Sequence, residues 1–268
     1  MYRRFQYGLL SPRLVTDFMR DKMYKPFLQL LLYALLMVIP VVINDLNHSG
    51  LSATYKNLIV SSFKNTEIDY EIKDFKLKKT KDDAEIYEAN VASIMSLRIG
   101  LDGKSSSFLY CIELREEDFI FRVSGVELMK YNYYDFEELQ SLEFDRLSSE
   151  NSSEWDKVFS VCDKVIKAFY KENVVMDGFA SAIRYYAALL FLSLCLALTF
   201  IFRFKNVINF KVMFKLGAYY TAPFVVGMVL SNLFSLSIFY IIGIVLSIAY
   251  AFIGGTEILS KLLNSDRK

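Results

Sequence analysis

The sequence predicts a membrane protein with four transmembrane helices plus an extracytoplasmic α+β domain with a small antiparallel sheet. Three observations predict it. The stretch from Leu216 to Thr256 is 41 residues without an Asp, Glu, Lys or Arg, bounded by Lys215 and Glu257. As one helix it would be roughly 60 Å long, twice a hydrocarbon core of about 30 Å, so it must fold back once. Pro26 to Ile43 and Tyr185 to Phe202 are two further uncharged runs of 18 residues each. Finally, the net charge of +1 conceals a division: residues 45–179 hold 17 Lys+Arg against 26 Asp+Glu, and the rest of the chain is basic.

That division sets the expected topology, because Lys and Arg in short flanking segments mark the cytoplasmic side. Arg3, Arg4, Arg13, Arg20, Lys22 and Lys25 precede the first span, and Arg203, Lys205, Lys211 and Lys215 lie between the second and third. Residues 1–25 are thus a cytoplasmic amphipathic segment, 26–44 the first transmembrane helix and 45–179 the extracytoplasmic domain. The second transmembrane helix is 180–203, and 204–215 is a cytoplasmic basic interfacial segment. The transmembrane helical hairpin, helices three and four, is 216–256, and 257–268 is a cytoplasmic tail. The first span reads as a signal anchor rather than a cleaved signal peptide, since 25 residues precede it and no clean A-x-A-like site follows. The expected location is the plasma membrane, with both termini inside.

Taken in order, Ser11-Pro12 reads as a helix start, with Ser as N-cap and Pro at the first helical position. Val15, Phe18, Met19 and Met23 then share one face of a helix at the inner interface. Pro40 sits near the outer end of the first span, where a kink removes few ladder bonds, and Gln29 near its inner end reads as an interhelical hydrogen-bonding group. Leu51 to Phe63 reads as helix. Ile68, Tyr70 and Ile72 alternate, Phe75 and Leu77 follow after a one-residue slip, and Lys78 to Asp83 is a charged turn. Met95, Leu97, Ile99 and Leu101 alternate up to Asp102-Gly103, which suits a two-residue hairpin turn returning through Phe108, Tyr110, Ile112 and Leu114. A second hairpin runs from Phe119–Val123 across Ser124-Gly125 into Val126–Tyr131. Trp155, Val158, Phe159, Cys162, Val165, Ile166 and Phe169 recur at steps of three and four, predicting a helix from Glu154 to Glu172 that starts after Ser152-Ser153. The acid-rich stretch from Asp135 to Asp145, with Tyr131, Tyr133 and Tyr134, reads as a solvated face with aromatic edges. A sugar-binding aromatic platform is the other reading of those tyrosines. The hairpin reverses at Ser231 to Ser235, whose small polar residues help satisfy backbone groups near an interface.

Chemistry-bearing patterns are sparse. There is one histidine, His48, and no H-E-x-x-H, P-loop, G-x-G-x-x-G after a strand, G-x-S-x-G or paired cysteines at metal spacing. No catalytic residue, metal or cofactor is therefore expected, and the chain is not expected to be an enzyme. Cys111 and Cys162 both fall outside, where a disulfide is permitted, although two buried thiols explain the same residues. Asn47-His48-Ser49 and Asn151-Ser152-Ser153 match glycosylation acceptors, which matter only in a host that modifies them. Small residues recur every fourth position in the hairpin: Pro223, Gly227 and Ser231 on one helix, Gly243, Ser247, Ala251 and Gly255 on the other. Such ladders allow close helix packing. They could also line a pathway.

A family resemblance rests on Phe5 to Pro12 with its Leu-Leu-Ser-Pro, on Tyr24-Lys25-Pro26-Phe27 leading into a span with Pro40, on Tyr70 to Leu77, and on Ala218 to Pro223. Together these resemble a bacterial family of uncharacterised four-span membrane proteins, some labelled maltodextrin utilisation protein, over nearly the whole chain. The resemblance implies membrane location and a link to sugar uptake, and carries over no catalytic residue. The expected role is accessory, sensing or scaffolding, exerted through the extracytoplasmic domain, with a channel or transporter subunit as the alternative. The expected partners are the lipid bilayer and a membrane transporter or other membrane protein, with no nucleic acid.

Overall fold

The computed structural model describes residues 2–64, 66–91, 95–100, 110–204 and 208–265. The chain divides into two compact units: a helical unit of Met1–Asn47 with Lys171–Lys268, and a second unit of His48–Tyr170. Four helices are long and apolar enough to cross a membrane, lying within Tyr24–Leu46, Glu154–Phe200, Phe210–Phe234 and Ile238–Ser260.

In the helical unit, α1 (Tyr2–Leu10) leads through a 3₁₀ helix (Pro12–Arg20) into α2 (Tyr24–Leu46), which runs on through Pro40. The sequence did not reveal α1, a nine-residue element. Pro12 does open the next helix, but that helix is 3₁₀ rather than α, and Ser11 makes no side-chain cap. Its Val15 and Thr16 are buried. It packs on α5 (Phe210–Tyr219) and α7 (Ile238–Ser265), so the segment is seated among helices instead of lying flat on a surface.

The uncharged run forms the end of α5, then α6 (Ala222–Phe234) and most of α7. Ser235 takes a left-handed conformation and closes α6, so the chain reverses where its small polar residues predicted. A break at Tyr220-Thr221 was not foreseen. Pro223 explains it: a proline has no N–H to give to the carbonyl four residues back and its ring crowds that carbonyl.

The second unit is built on two sheets. One has three strands in the order β2-β1-β8, made of β1 (Tyr70–Lys73), β2 (Lys76–Lys79) and β8 (Ser141–Glu143). The slip before Phe75 is in fact a hairpin turn, with Asp74 and Phe75 both at positive φ. The other sheet has the order β3-β4-β5-β6-β7, from β3 (Tyr87–Val91), β4 (Met95–Ile99), β5 (Tyr110–Leu114), β6 (Asp118–Val123) and β7 (Val126–Asn132).

The hairpin expected across Asp102-Gly103 is not formed. Strands β4 and β5 pair in parallel, Ser96 beside Cys111 and Ile99 beside Leu114. Parallel neighbours cannot be joined by a two-residue turn. The turn residues and Phe108 lie outside the described residues, as does Lys205. The second hairpin is as expected: β6 and β7 are antiparallel, and Ser124 and Gly125 both take the positive φ of a tight twisted turn. In β7, Met129 faces Phe121 while Glu127 faces Arg122, which leaves Leu128 as a bulge in the edge strand.

Helix α3 (Ala53–Ser62) is capped by Ser52, whose hydroxyl accepts from Tyr55 N. The periodic helix from Glu154 does not end at Glu172 but continues as α4 to Phe204, 51 residues in all. It gives Trp155 and Val161 to the core of the second unit, and Leu189, Leu196 and Ala197 to the core of the helical unit. The acid-rich stretch is less solvated than expected. Phe136, Leu139, Leu142 and Phe144 are buried, and β8 within it pairs with β1.

Candidate functional site

The surface of the second unit that differs most from an ordinary solvated face lies around β7. Val126 and Leu128 are 62% and 53% exposed, and Tyr134 just beyond the strand is 67% exposed. Tyr134 is held in place. Asn132 and Asp135 form a capping box around the short 3₁₀ turn Tyr133–Asp135, and Asn132 Nδ2 donates to Tyr134 Oη at 3.0 Å. The hydroxyl keeps its own proton to donate. An exposed aromatic fixed by its neighbours loses little freedom on binding, the property expected of an anchor.

The three tyrosines do not form a platform. Tyr133 is fully buried, donates to Arg115 O at 2.8 Å, and has its phenol pushed up by burial and by the charge of Asp118. Tyr131 stacks on Phe119. Only Tyr134 of the three is presented to solvent.

The opposite face of the same sheet carries a buried charge. Glu113, 2% exposed, accepts from Arg115 Nη2 and Arg122 Nε, both at 3.0 Å, through one oxygen. A carboxylate taken out of water needs such hydrogen-bonding partners to offset its lost hydration. Sequence alternation could not reveal this, because Glu113 stands in a strand pattern whose other face supplies the apolar residues. On α4, Ser160 and Lys164 donate to Glu138 Oε1 at 2.6 and 2.5 Å; the ammonium first and the hydroxyl second hold that carboxyl down to about 2. Among the described residues no group of three or more His, Cys, Asp or Glu could hold a metal ion.

The remaining sequence-derived residues fall as follows. Cys111 is buried in β5, Cys162 is half-buried in α4, and both are free thiols; burial pushes Cys162 up to about 11. His48 stacks on Tyr170 with centroids 4.0 Å apart and accepts from Gly50 N. In the helical unit, a Cβ on Gly227 would lie 3.0 Å from Gly243 Cα, and one on Gly243 would lie 3.0 Å from Pro223 O. Ser247 is buried, and its hydroxyl accepts from the Phe224 amide at 3.1 Å, satisfying a free N–H in the first turn of α6. Ala251 and Gly255 are buried further along α7, and Ser231 O accepts the closing amide of α6. At the reversal, Asn232 Nδ2 donates to Tyr185 Oη at 2.9 Å, and Asn44 Nδ2 donates to Asn232 O at 3.1 Å.

A polar cluster that charge counting placed only as flanking residues lies at the other end of α5. Asp21 receives Arg4 Nε and Nη2, Lys25 Nζ and Tyr219 Oη. Burial works against its charge, but the donors from Arg4, Tyr219 and Lys25 outweigh it and hold the carboxyl well below the usual range. Lys215, 7% exposed, donates to the carbonyls of Met19 and Asp21. It is a buried cap on the 3₁₀ helix, and not the exposed charge of an interfacial segment.

Comparison of the chain with protein-family models, with curated proteins and with solved structures finds no match in any of the three.

Proposed function

We propose that this chain is a multi-pass plasma-membrane protein with both termini cytoplasmic, and that it acts without catalysis through its second unit. On this reading the unit lies outside the membrane and serves as an accessory, sensing or scaffolding module that docks on a membrane partner. The family resemblance favours a sugar transporter of the maltodextrin type as that partner. One observation carries the proposal: a separately packed unit is inserted between two apolar helices and presents Tyr134, fixed by Asn132, beside exposed Val126 and Leu128. The Gly227–Gly243 contact supports a packing role for the small-residue ladders, which favours docking over conduction.

The test is affinity capture from cross-linked membranes, comparing wild type with a Tyr134→Ala, Val126→Asp variant, together with thermal stabilisation by a panel of maltodextrins. A reproducible partner captured by wild type and lost from the variant supports the proposal. No partner and no stabilisation removes it, as does solute flux from reconstituted vesicles above that of empty ones.

A further inference from the structure

A groove of about 450 Å³ runs along α2 in the helical unit. Leu32, Leu35, Leu36 and Ile39 line it and are between 37% and 52% exposed, while Tyr2 and Phe5 of α1 supply its other wall. Two polar residues also line it, Gln29 at 3% exposure and Tyr33 at 1%. They stand one turn apart on α2 and interact with each other, but in a geometry that leaves Gln29 Oε1 and Tyr33 Oη without a completed hydrogen bond. The sequence suggested that Gln29 bonds to another helix, but its Oε1 accepts from none. A buried polar atom left unpaired is costly, and two at the wall of one apolar groove point to a missing ligand.

The groove states what that ligand is. From Gln29 to Ile39 the helix rises roughly 15 Å, about half a hydrocarbon core, which is the reach of a chain from one leaflet. No Lys, Arg, Asp or Glu lines the wall, so nothing there supports a phosphate or an ammonium. The Tyr33 hydroxyl can donate, and Gln29 Oε1 needs a donor. An ester carbonyl beside a free hydroxyl meets both needs.

We propose that this groove binds diacylglycerol, its acyl chain along Leu32 to Ile39, its ester carbonyl accepting from Tyr33 and its hydroxyl donating to Gln29. Phe5, edge-on to Tyr33 with centroids 5.7 Å apart, walls the groove beside the glycerol. The inference rests on the membrane reading above.

The full chain in phosphatidylcholine nanodiscs is titrated with dioleoylglycerol or with its O-methyl ether, and followed by native mass spectrometry and thermal melting. Dioleoylglycerol is retained and raises Tm by roughly 2–4 °C, whereas the ether binds roughly fivefold more weakly because one hydrogen bond is lost. In a Gln29→Leu, Tyr33→Phe variant the two lipids bind alike, and without lipid the variant melts no lower than wild type, since unpaired polar atoms have been removed. Equal retention of ether and alcohol by wild type overturns the proposal, as does undiminished discrimination by the variant or preference for phosphatidylglycerol. Alkaline carbonate extraction separates the two readings: release from membranes defeats the membrane reading itself, while a retained chain that fails to discriminate defeats only the lipid site.

Discussion

Lys215 shows how far a single side chain can depart from its sequence context. It bounds the longest uncharged run and so looks like the point where the chain enters the lipid interface. Its ammonium instead serves two carbonyls nearly 200 residues earlier in the chain, at the end of the 3₁₀ helix. Charged donors at a helix C-terminus satisfy carbonyls that have no partner within the helix. Lys215→Met should therefore destabilise the helical unit by about 2 kcal/mol, seen as a lower melting temperature of the purified chain. Glu138 makes a second prediction at this scale. Its carboxyl, about 2 in the folded chain, lies below the ordinary value of 4.5. Its bonds to Lys164 and Ser160 thus add stability that is complete above about pH 5 and fades as pH falls toward about 2. Glu138→Gln should lower the melting temperature at pH 7, with a difference that is mostly lost as pH falls to about 2. None of these long-range pairings could be read from the sequence, because spacing reports only neighbours along one element.

Among elements, the sequence was legible where local pattern and environment coincide. The apolar runs, the reversal at Ser235, the helix within Leu51 to Phe63 and the Ser124-Gly125 turn each follow from residues that favour one geometry. The parallel pairing of β4 and β5 was not legible, since alternation marks the buried face of a strand but not its direction. The Asp74-Phe75 turn was missed for a different reason: a phenylalanine at positive φ carries no local signal, and its backbone is held from outside, Asp74 N donating to Gln140 O at 2.9 Å. As for the candidate site, Tyr134 was singled out with its neighbours, but which of the three tyrosines faces solvent depends on Asn132 and on burial against Phe119. The α6–α7 packing yields a sharp prediction. Gly227→Ala would drive a methyl against the backbone of α7 and should cost about 1–3 kcal/mol, whereas Ala251→Gly on the α7 ladder creates no clash and should cost only the roughly 1 kcal/mol of a glycine in a helix interior. Comparative thermal melts of the two variants decide whether close approach is required at Gly227.

For the whole molecule, the charge division and the four apolar helices predict which residues can be reached from outside the cell. A cysteine placed at Tyr134 should react with a membrane-impermeant maleimide on intact cells, while one at Arg3 should react only after permeabilisation. The reverse pattern would invert the topology. Native Cys111 is buried and should contribute little background. The seating of the amino-terminal segment also bears on biosynthesis. The 3₁₀ helix finds its neighbours on α5 and α7, and Asp21 finds Tyr219, so a segment synthesised nearly 200 residues before α5 is among the last to be locked. Until α5 emerges, that segment carries an uncovered apolar face and an Asp21 that has Arg4 and Lys25 but lacks the Tyr219 hydroxyl. A nascent chain stalled before residue 210 would thus display a ready mark for proteolytic quality control, and one completed through α7 would conceal it.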